Sequence, residues 1–384
     1  MRRDDAVCDV ASVTHLDYDD RVLTIGWSDG RVSTFHHLWL RDNCPQLRHT
    51  TTGHRVVETS TIPRDVRPSV VACSSPATIA ITWAHDGHIS TFDTDWLRDH
   101  DYSNGVRRAR RSPTLWDATS VDALPRASYP DVCGDLAARR SLMIGFRDYG
   151  IALLHEVPTT PGTVLDVAAM FGEVRVTSWG RVFDVVSVDN ANSVAYTTLP
   201  LVAHTDEAYR DPAPTIQLQH FLRTDAAGGA ATLVDGFMVA ADLAEARPDL
   251  YHLLATVLLH FHFRDDTSEH EHDATVLDVD GSGQLRAVRF SNHSAQPFLI
   301  DPQLMERYYE AYTMFGQMRE SATYRLQLDL QAGDLYIIDN RRVLHGRTGF
   351  SGGGARHLQS CYIERDEFIS RLAMLDRQLG CEQR

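Results

Sequence analysis

Between residue 8 and about residue 100, apolar and polar positions alternate in short bursts of period two: "RVLTIGWSDG" (21–30), "RVSTFHHLWLRD" (31–42) and "TIAITWAHDGHISTF" (78–92). Such alternation puts every second side chain on one face of a strand. Asp29-Gly30 and Asp86-Gly87, between bursts, are hairpin turn signals. Together they predict a small, mostly antiparallel β domain over 8–102. Periodicity is lost over 103–127, where arginines cluster and Pro113 and Pro125 occur, as in a linker. "DVCGDLAARRSLMIGFRDYG" (131–150) has helical spacing and ends at Gly150; the strand-like "IALLHEVP" (151–158) follows, and Thr160-Pro161 opens a second helix. Further β bursts occupy 215–222, 231–237, 285–292, 334–339 and 357–364, and a helical insert over 301–320 precedes the last two. Many short strands among few helices predict a mainly β (α+β) domain over 128–384, of sandwich or jelly-roll type. No internal repeat stands out.

Composition narrows the function classes. A chain of 384 residues can bury a large core with a smaller domain beside it. A formal net charge of -15 counts against nucleic acid as partner and suits a cationic small ligand. All 37 basic residues are Arg, which removes mechanisms built on a Schiff-base or general-base lysine. Cys8, Cys44, Cys73, Cys133, Cys361 and Cys381 are scattered and no signal-peptide pattern precedes them, so reduced thiols in a cytoplasm are expected. No apolar run approaches the roughly 18 to 20 residues of a membrane span, and a soluble chain is expected.

The candidate chemistry starts at "LVAHTDEAY" (201–209), where His204 and Asp206 stand two residues apart, on one side of an extended backbone. His15-Leu16-Asp17 has the same pattern with no other sign of chemistry, so the motif needs a further donor. "NRRVLHGRTGF" (340–350) offers His345, 139 positions beyond Asp206 (345 minus 206). Two imidazoles and one carboxylate on one face of a metal leave three positions free, which suits non-haem Fe(II) binding a co-substrate and O₂. Eleven residues after His345 comes Arg356, at the start of a strand-like run, where a guanidinium can hold a carboxylate in a bidentate pair. A dicarboxylate chelating iron at one end and Arg356 at the other accounts for both features. On the residues alone, a zinc hydrolase or a silent binding protein with the same ligands stays open. "SEHEHD" (268–273) reads as a solvated or lid-like loop outside the site.

"HTD", "NRRVLHGR" and the trailing Arg resemble the Fe(II)- and 2-oxoglutarate-dependent dioxygenases of the taurine-dioxygenase-like superfamily. "HHLWLRDNCP" (36–45), "NSVAYTT" (192–198), "GGAATLVDGF" (228–237) and "NRRVLHGRTGF" narrow the likeness to the γ-butyrobetaine hydroxylase and trimethyllysine dioxygenase family, over nearly the whole chain. The resemblance implies a double-stranded β-helix (jelly roll), Fe(II) on His204, Asp206 and His345, and 2-oxoglutarate on Arg356. It also implies a homodimer that hydroxylates a small betaine-like substrate with O₂; a cytoplasmic setting with no nucleic-acid or membrane partner is expected from the cysteines, the charge and the lack of an apolar span. Where relatives place an Asn beside the co-substrate, this chain has Ser193.

The family's aromatic box for a trimethylammonium group maps onto Trp179, Phe183, Tyr196 and Tyr362. A quaternary ammonium has no N–H to donate, so ring faces are its natural receptor. The anionic end of the substrate maps onto Asn292, with Arg181 and Arg289 near in sequence. The implied reaction is γ-butyrobetaine to L-carnitine, with 2-trimethylaminoethylphosphonate hydroxylation or trimethyllysine oxidation as alternatives. Relatives carry a structural zinc on closely spaced cysteines. This chain keeps Cys44 and His88 and lacks the second and third cysteines, with His49 and His54 as replacements, so a lost zinc is expected.

Overall fold

The computed structural model describes residues 11–103, 112–186, 197–350 and 355–381. The chain divides into two compact units, Met1–Arg111 and Ser112–Arg384.

The first unit is built twice from one pattern. Strands Val13–Tyr18, Val22–Trp27 and Val32–His36 form an antiparallel meander that runs into helix His37–Asp42; Pro68–Ser75, Thr78–Trp83 and Ile89–Asp93 form another that runs into helix Thr94–Asp99. The middle strands share one alternation of burial and so do the third strands. This corrects the expectation of no repeat. Phe35 and Phe92, and Trp39 and Trp96, lie 57 positions apart (92 minus 35, 96 minus 39), whereas Trp27 and Trp83 lie 56 apart (83 minus 27), because the second hairpin turn is one residue longer. Trp27 Nε1 donates to Ser33 Oγ and Trp83 Nε1 to Ser90 Oγ, each at 2.8 Å. The ion pairs cross over: Arg41 of the first copy reaches Asp86 in the second copy's turn at 2.8 Å, and Arg98 of the second reaches Asp29 of the first at 2.7 Å. A single core of Leu23, Ile25, Phe35, Ile79, Ile81 and Phe92 closes between the copies.

The second unit holds a seven-stranded sheet whose main path runs Phe183–Val186, Arg356–Ile363, Ile216–Thr224, Leu335–Asp339, Ile151–His155 and Arg126–Ser128; Val174–Arg175 also pairs with Arg356–Ile363. A four-stranded sheet runs Leu201–His204, Val343–Arg347, Ala231–Asp235 and Leu326–Leu328. The inner faces of the two sheets share one core, with Ile151, Leu153, Tyr336 and Ile338 from the larger and Leu233 and Val343 from the smaller. Strands buried on both faces read as continuous apolar runs rather than alternations, as in Ile151–His155, where the first four residues are buried.

The outer face of the larger sheet, including Ala152, Leu154, Ile216 and Leu218, is covered by helices Leu136–Tyr149, Thr163–Phe171 and Arg365–Gln378. Helices Gly236–Ala246, Pro248–Thr256 and Met305–Glu320 cover the smaller sheet through Val234 and Leu344. The 131–150 segment forms two helices, because Asp135 breaks the run and caps the second by accepting from Ala137 N at 2.8 Å. Gly150 ends that helix at φ 73°, and a Cβ there would come within 2.8 Å of Arg342 Cδ. Arg342 needs that room: buried, it pairs with Asp235 at 2.9 and 2.7 Å and donates to the carbonyls of Asp148 and Thr114, bracing the strand that carries His345.

Part of the expected linker belongs to this unit, since Trp116 and Leu124 are buried in its core and Arg126–Ser128 pairs in parallel with Ile151–His155. The "SEHEHD" segment is a strand rather than a loop: Glu269–Ala274 pairs antiparallel with Leu259–Arg264. Among the described residues no helix is long and apolar enough to cross a membrane.

Candidate active site

The ladder of the smaller sheet places the two imidazoles. His204 ends the strand Leu201–His204 directly opposite His345 on Val343–Arg347, with ring centroids 4.8 Å apart. Asp206, just past the end of its strand, turns back between them. His204 Nε2 lies 3.2 Å from Asp206 Oδ1 and His345 Nε2 lies 3.6 Å from Oδ2. Asn340 fixes the turn: its Oδ1 accepts from Asp206 N at 2.7 Å, and its Nδ2 donates to the carbonyls of Asp206 and Pro214. The carboxylate is also held, accepting at Oδ2 from Gln217 Nε2 and from the Tyr362 hydroxyl, both at 2.7 Å.

The electrostatics prepare a cation site. Burial opposes ionisation of Asp206, but His345, His204 and the Tyr362 hydroxyl outweigh it and hold the carboxyl well below the usual carboxylate range. Burial pushes His345 down to about 4, with Asp206 opposing, so its imidazole is neutral at pH 7. His204 Nδ1 lies 3.0 Å from the Val202 carbonyl, which can only accept, so Nδ1 donates there and Nε2 is the ring nitrogen turned toward Asp206. The three donor atoms lie within 4.8 Å of one another, and among the described residues no other group of three such donors gathers.

The centre opens into a cavity of about 370 Å³. Arg356 stands in its wall, its Cζ 5.7 Å from the ring centroids of both Phe221 and Phe350. Burial lowers its affinity for the proton, and among the described residues no carboxylate answers it. Gly229, at φ 76°, lets it pass, since a Cβ there would lie 3.1 Å from Arg356 Cδ. Arg347 lines the same end and donates to the Thr197 carbonyl. Burial, and then the charge of Arg356, push it down to about 10.

The cavity also gathers aromatic rings. Phe183 lies 5.5 Å from Tyr362 and 6.4 Å from Trp179, so three of the four expected box residues form one wall. Tyr196 and Ser193 lie outside the described residues. Two rings that sequence reasoning missed extend the wall: Phe263 lies 5.6 Å from Trp179 and stacks on Tyr209 at 4.9 Å. Tyr209 ends the "LVAHTDEAY" stretch and Phe263 sits in the alternating "LHFHFR", the two signals available for finding them.

Asn292 is exposed, accepts from the Tyr312 hydroxyl at 2.6 Å and does not line the cavity; its neighbours Ser291, His293 and Ser294 do. Arg181 is exposed and Arg289 lies 3.6 Å from Asp278, both outside the lining. In the first unit Cys44 Sγ comes within 3.2 Å of His88 Nε2 and 3.3 Å of Gln46 Oε1; neither His49 nor His54 joins them in a group of three donors.

Residues 116–362 match the family model described as taurine catabolism dioxygenase TauD, TfdA family. The chain belongs to that family. Residues 14–117 match a second model, gamma-butyrobetaine hydroxylase-like, N-terminal, so the two matches divide this TauD, TfdA family member much as its compact units do. The chain is 37% identical over 361 residues to gamma-butyrobetaine dioxygenase of Pseudomonas sp. (strain AK-1), covering 92% of this chain and 94% of that protein. It is 29% identical over 361 residues to the mitochondrial trimethyllysine dioxygenase of Homo sapiens, covering 90% and 84%. A solved asparagine oxygenase, in complex with Fe(II), 2S,3S-3-hydroxyasparagine and succinate, matches 59% of this chain and 79% of its own at 20% identity, with a TM-score of 0.48.

Proposed function

We propose that this protein is an Fe(II)- and 2-oxoglutarate-dependent hydroxylase of a small trimethylammonium substrate, acting on γ-butyrobetaine to form L-carnitine. The observation that carries the reading is the convergence on one cavity of the His204, Asp206 and His345 donors, Arg356 and the wall of rings. Two facing sheets around that cavity support the double-stranded β-helix expected from sequence.

The donor set fits the metal. Two imidazoles and an ionised carboxylate gathered on one side are the ligand types and arrangement of oxygen-activating ferrous centres. Bound Fe(II) supplies the redox chemistry that couples O₂ and 2-oxoglutarate decarboxylation to hydroxylation of a C–H bond. The chain supplies the rest. Gln217 and Tyr362 fix the Asp206 carboxylate, Arg356 takes the distal carboxylate of the oxoacid in a bidentate pair, and the rings exclude water and hold the ammonium, so that one carbon is presented to the metal.

The anionic end of the substrate falls to Ser291, His293 and Ser294. Ser294 Oγ is buried without a hydrogen-bond partner, and the His293 ring stands 5.0 Å from that of His204. With neither Arg181 nor Arg289 in the wall, a carboxylate is favoured over a phosphonate. The scattered cysteines support extending the reading to a cytoplasmic protein, and the resemblance supports a homodimer.

The test incubates the iron-loaded protein with 2-oxoglutarate, O₂ and each of γ-butyrobetaine, 2-trimethylaminoethylphosphonate and trimethyllysine. Succinate and L-carnitine in equal amounts from the first are expected. Turnover with another of the three, or none with any, would overturn the assignment.

A further inference from the structure

The strand that ends at His204 lies at an edge of its sheet. Leu201–His204 pairs with Val343–Arg347 on one side and, among the described residues, with no strand on the other, and its register slips between Leu201 and His204. The backbone groups on an open edge need partners from elsewhere, and without them the strand end is free to shift. His204 and Asp206 both depend on this strand end, so whatever closes the edge sets their geometry.

Arg319 closes it. It stands in the last turn of Met305–Glu320, only 7% exposed, and its Nη1 donates to the carbonyl of Ala203. Its Cζ lies 4.6 Å from the centroid of the Phe290 ring, which stacks at 4.5 Å on Tyr312 of the same helix. Phe290 is tied in turn to the other side of His204: its N donates to Thr205 Oγ1 at 3.0 Å, and Thr205 N donates to its carbonyl at 3.1 Å. The guanidinium thus reaches the backbone on both sides of the ligand, directly at Ala203 and through Phe290 at Thr205. From the same segment His293 lays its ring 5.0 Å from that of His204, and Ser291, His293 and Ser294 line the cavity.

Fold stability does not account for a cation here. Arg319 Nε is buried with no hydrogen-bond partner, and Glu320 Oε1 stands 3.7 Å away, beyond hydrogen-bond reach. A buried and partly answered charge costs stability that an apolar side chain of similar bulk would not. An apolar side chain, however, has nothing to donate to Ala203.

We propose that Arg319 is a positioning residue for the metal centre, fixing the backbone on both sides of His204 and, with it, the polar end of the cavity. The proposal rests on the metal centre of the hydroxylase reading and adds the residue that sets its geometry.

The test titrates the full chain with Co(II), whose visible absorption reports the arrangement of its ligands, and with choline, a trimethylammonium probe of the ring wall. Arg319→Met, which removes the donor, is expected to bind Co(II) ~10-fold more weakly than wild type and with an altered absorption band. Choline affinity is expected to stay within about threefold, because Phe183 and Tyr362 stand on the larger sheet. Arg319→Lys, which keeps a charge and a donor, is expected to recover the wild-type band and most of the Co(II) affinity. Should Arg319→Met not fold, Thr205→Val, which deprives Phe290 N of its acceptor, carries the same expectation for Co(II). A merely structural residue predicts a lower unfolding temperature with Co(II) affinity and band unchanged in the folded protein, or equal loss of Co(II) and choline; either result overturns the proposal. If wild type hydroxylates γ-butyrobetaine while Arg319→Met binds Co(II) as wild type does, the positioning role fails and the hydroxylase reading stands. If Co(II) binding depends on Arg319 but no trimethylammonium substrate is turned over, the hydroxylase reading fails and the positioning role stands.

Discussion

The hydroxyl of Tyr362 donates to Asp206 Oδ2 at 2.7 Å while its ring lies 5.5 Å from Phe183, so one side chain joins the candidate metal centre to the candidate ammonium box. The two roles separate by substitution. Tyr362→Phe keeps the ring and removes the hydrogen bond that orients the ligand, and its Fe(II) affinity is expected to fall ~10–100-fold, as for other partners of metal ligands. The Michaelis constant for the trimethylammonium substrate at saturating iron should change much less. Anaerobic Fe(II) titration beside steady-state kinetics checks both; unaltered metal affinity would show that Gln217 alone orients Asp206.

Arg356 lies between two phenylalanine rings with no carboxylate partner among the described residues, a costly arrangement unless a ligand's carboxylate completes it. Arg356→Gln retains two N–H donors and loses the charge and the fork. The Michaelis constant for 2-oxoglutarate should rise by ~10–150-fold, the equivalent of about 1.5–3 kcal/mol for a charge-assisted hydrogen bond. The affinity for choline should stay as in wild type. An unchanged constant for 2-oxoglutarate would move the anchor to Arg347.

Much of this site was legible because its residues carry their identity in local pattern. His204, Asp206 and His345 lie at the ends of apolar strand runs, and one register of one sheet brings them together. What was not legible depends on how turns and faces resolve in three dimensions. Asn292 follows Phe290 in an apparently extended run, but the chain turns there, so its side chain leaves the cavity while those on either side enter it. Glu269–Ala274 has a single apolar residue, Ala274 at its end, and so shows no strand period, although its partner strand carries Phe263 into the wall. The duplication in the first unit is obscured by a single inserted residue, which shifts Trp83 out of step with the positions that follow. Arg41–Asp86 and Arg98–Asp29 reveal it by exchanging partners.

Trp179 and Phe263 are neighbours in the wall, their ring centroids 5.6 Å apart and their planes tilted by 55°, and a desolvated ring face gives a quaternary ammonium roughly 0.5–2 kcal/mol. Trp179→Ala and Phe263→Ala are each expected to raise the Michaelis constant for γ-butyrobetaine ~2–30-fold, leaving that for 2-oxoglutarate within about twofold. Parallel rises in both constants would mean that these rings serve only to pack the wall.

His220 predicts how the fold responds to acid. It sits fully buried in the strand Ile216–Thr224, and neither ring nitrogen meets a partner in hydrogen-bond geometry. Burial pushes it down to about 4, with the nearby Val157 backbone opposing only in part. As pH falls, the unfolded chain takes up this proton near the ordinary histidine value of 6.5, whereas the folded chain takes it only near 4. The stability from keeping His220 neutral is therefore present above about pH 6.5 and lost progressively between 6.5 and 4. Between pH 7 and pH 5 this one group accounts for about 2 kcal/mol. Urea unfolding of wild type and His220→Leu at both pH values isolates the term: the variant's overall stability is free to differ, but its loss between pH 7 and pH 5 should be smaller by about that amount. Equal losses in the two proteins would mean that the folded imidazole finds a proton as readily as the unfolded one.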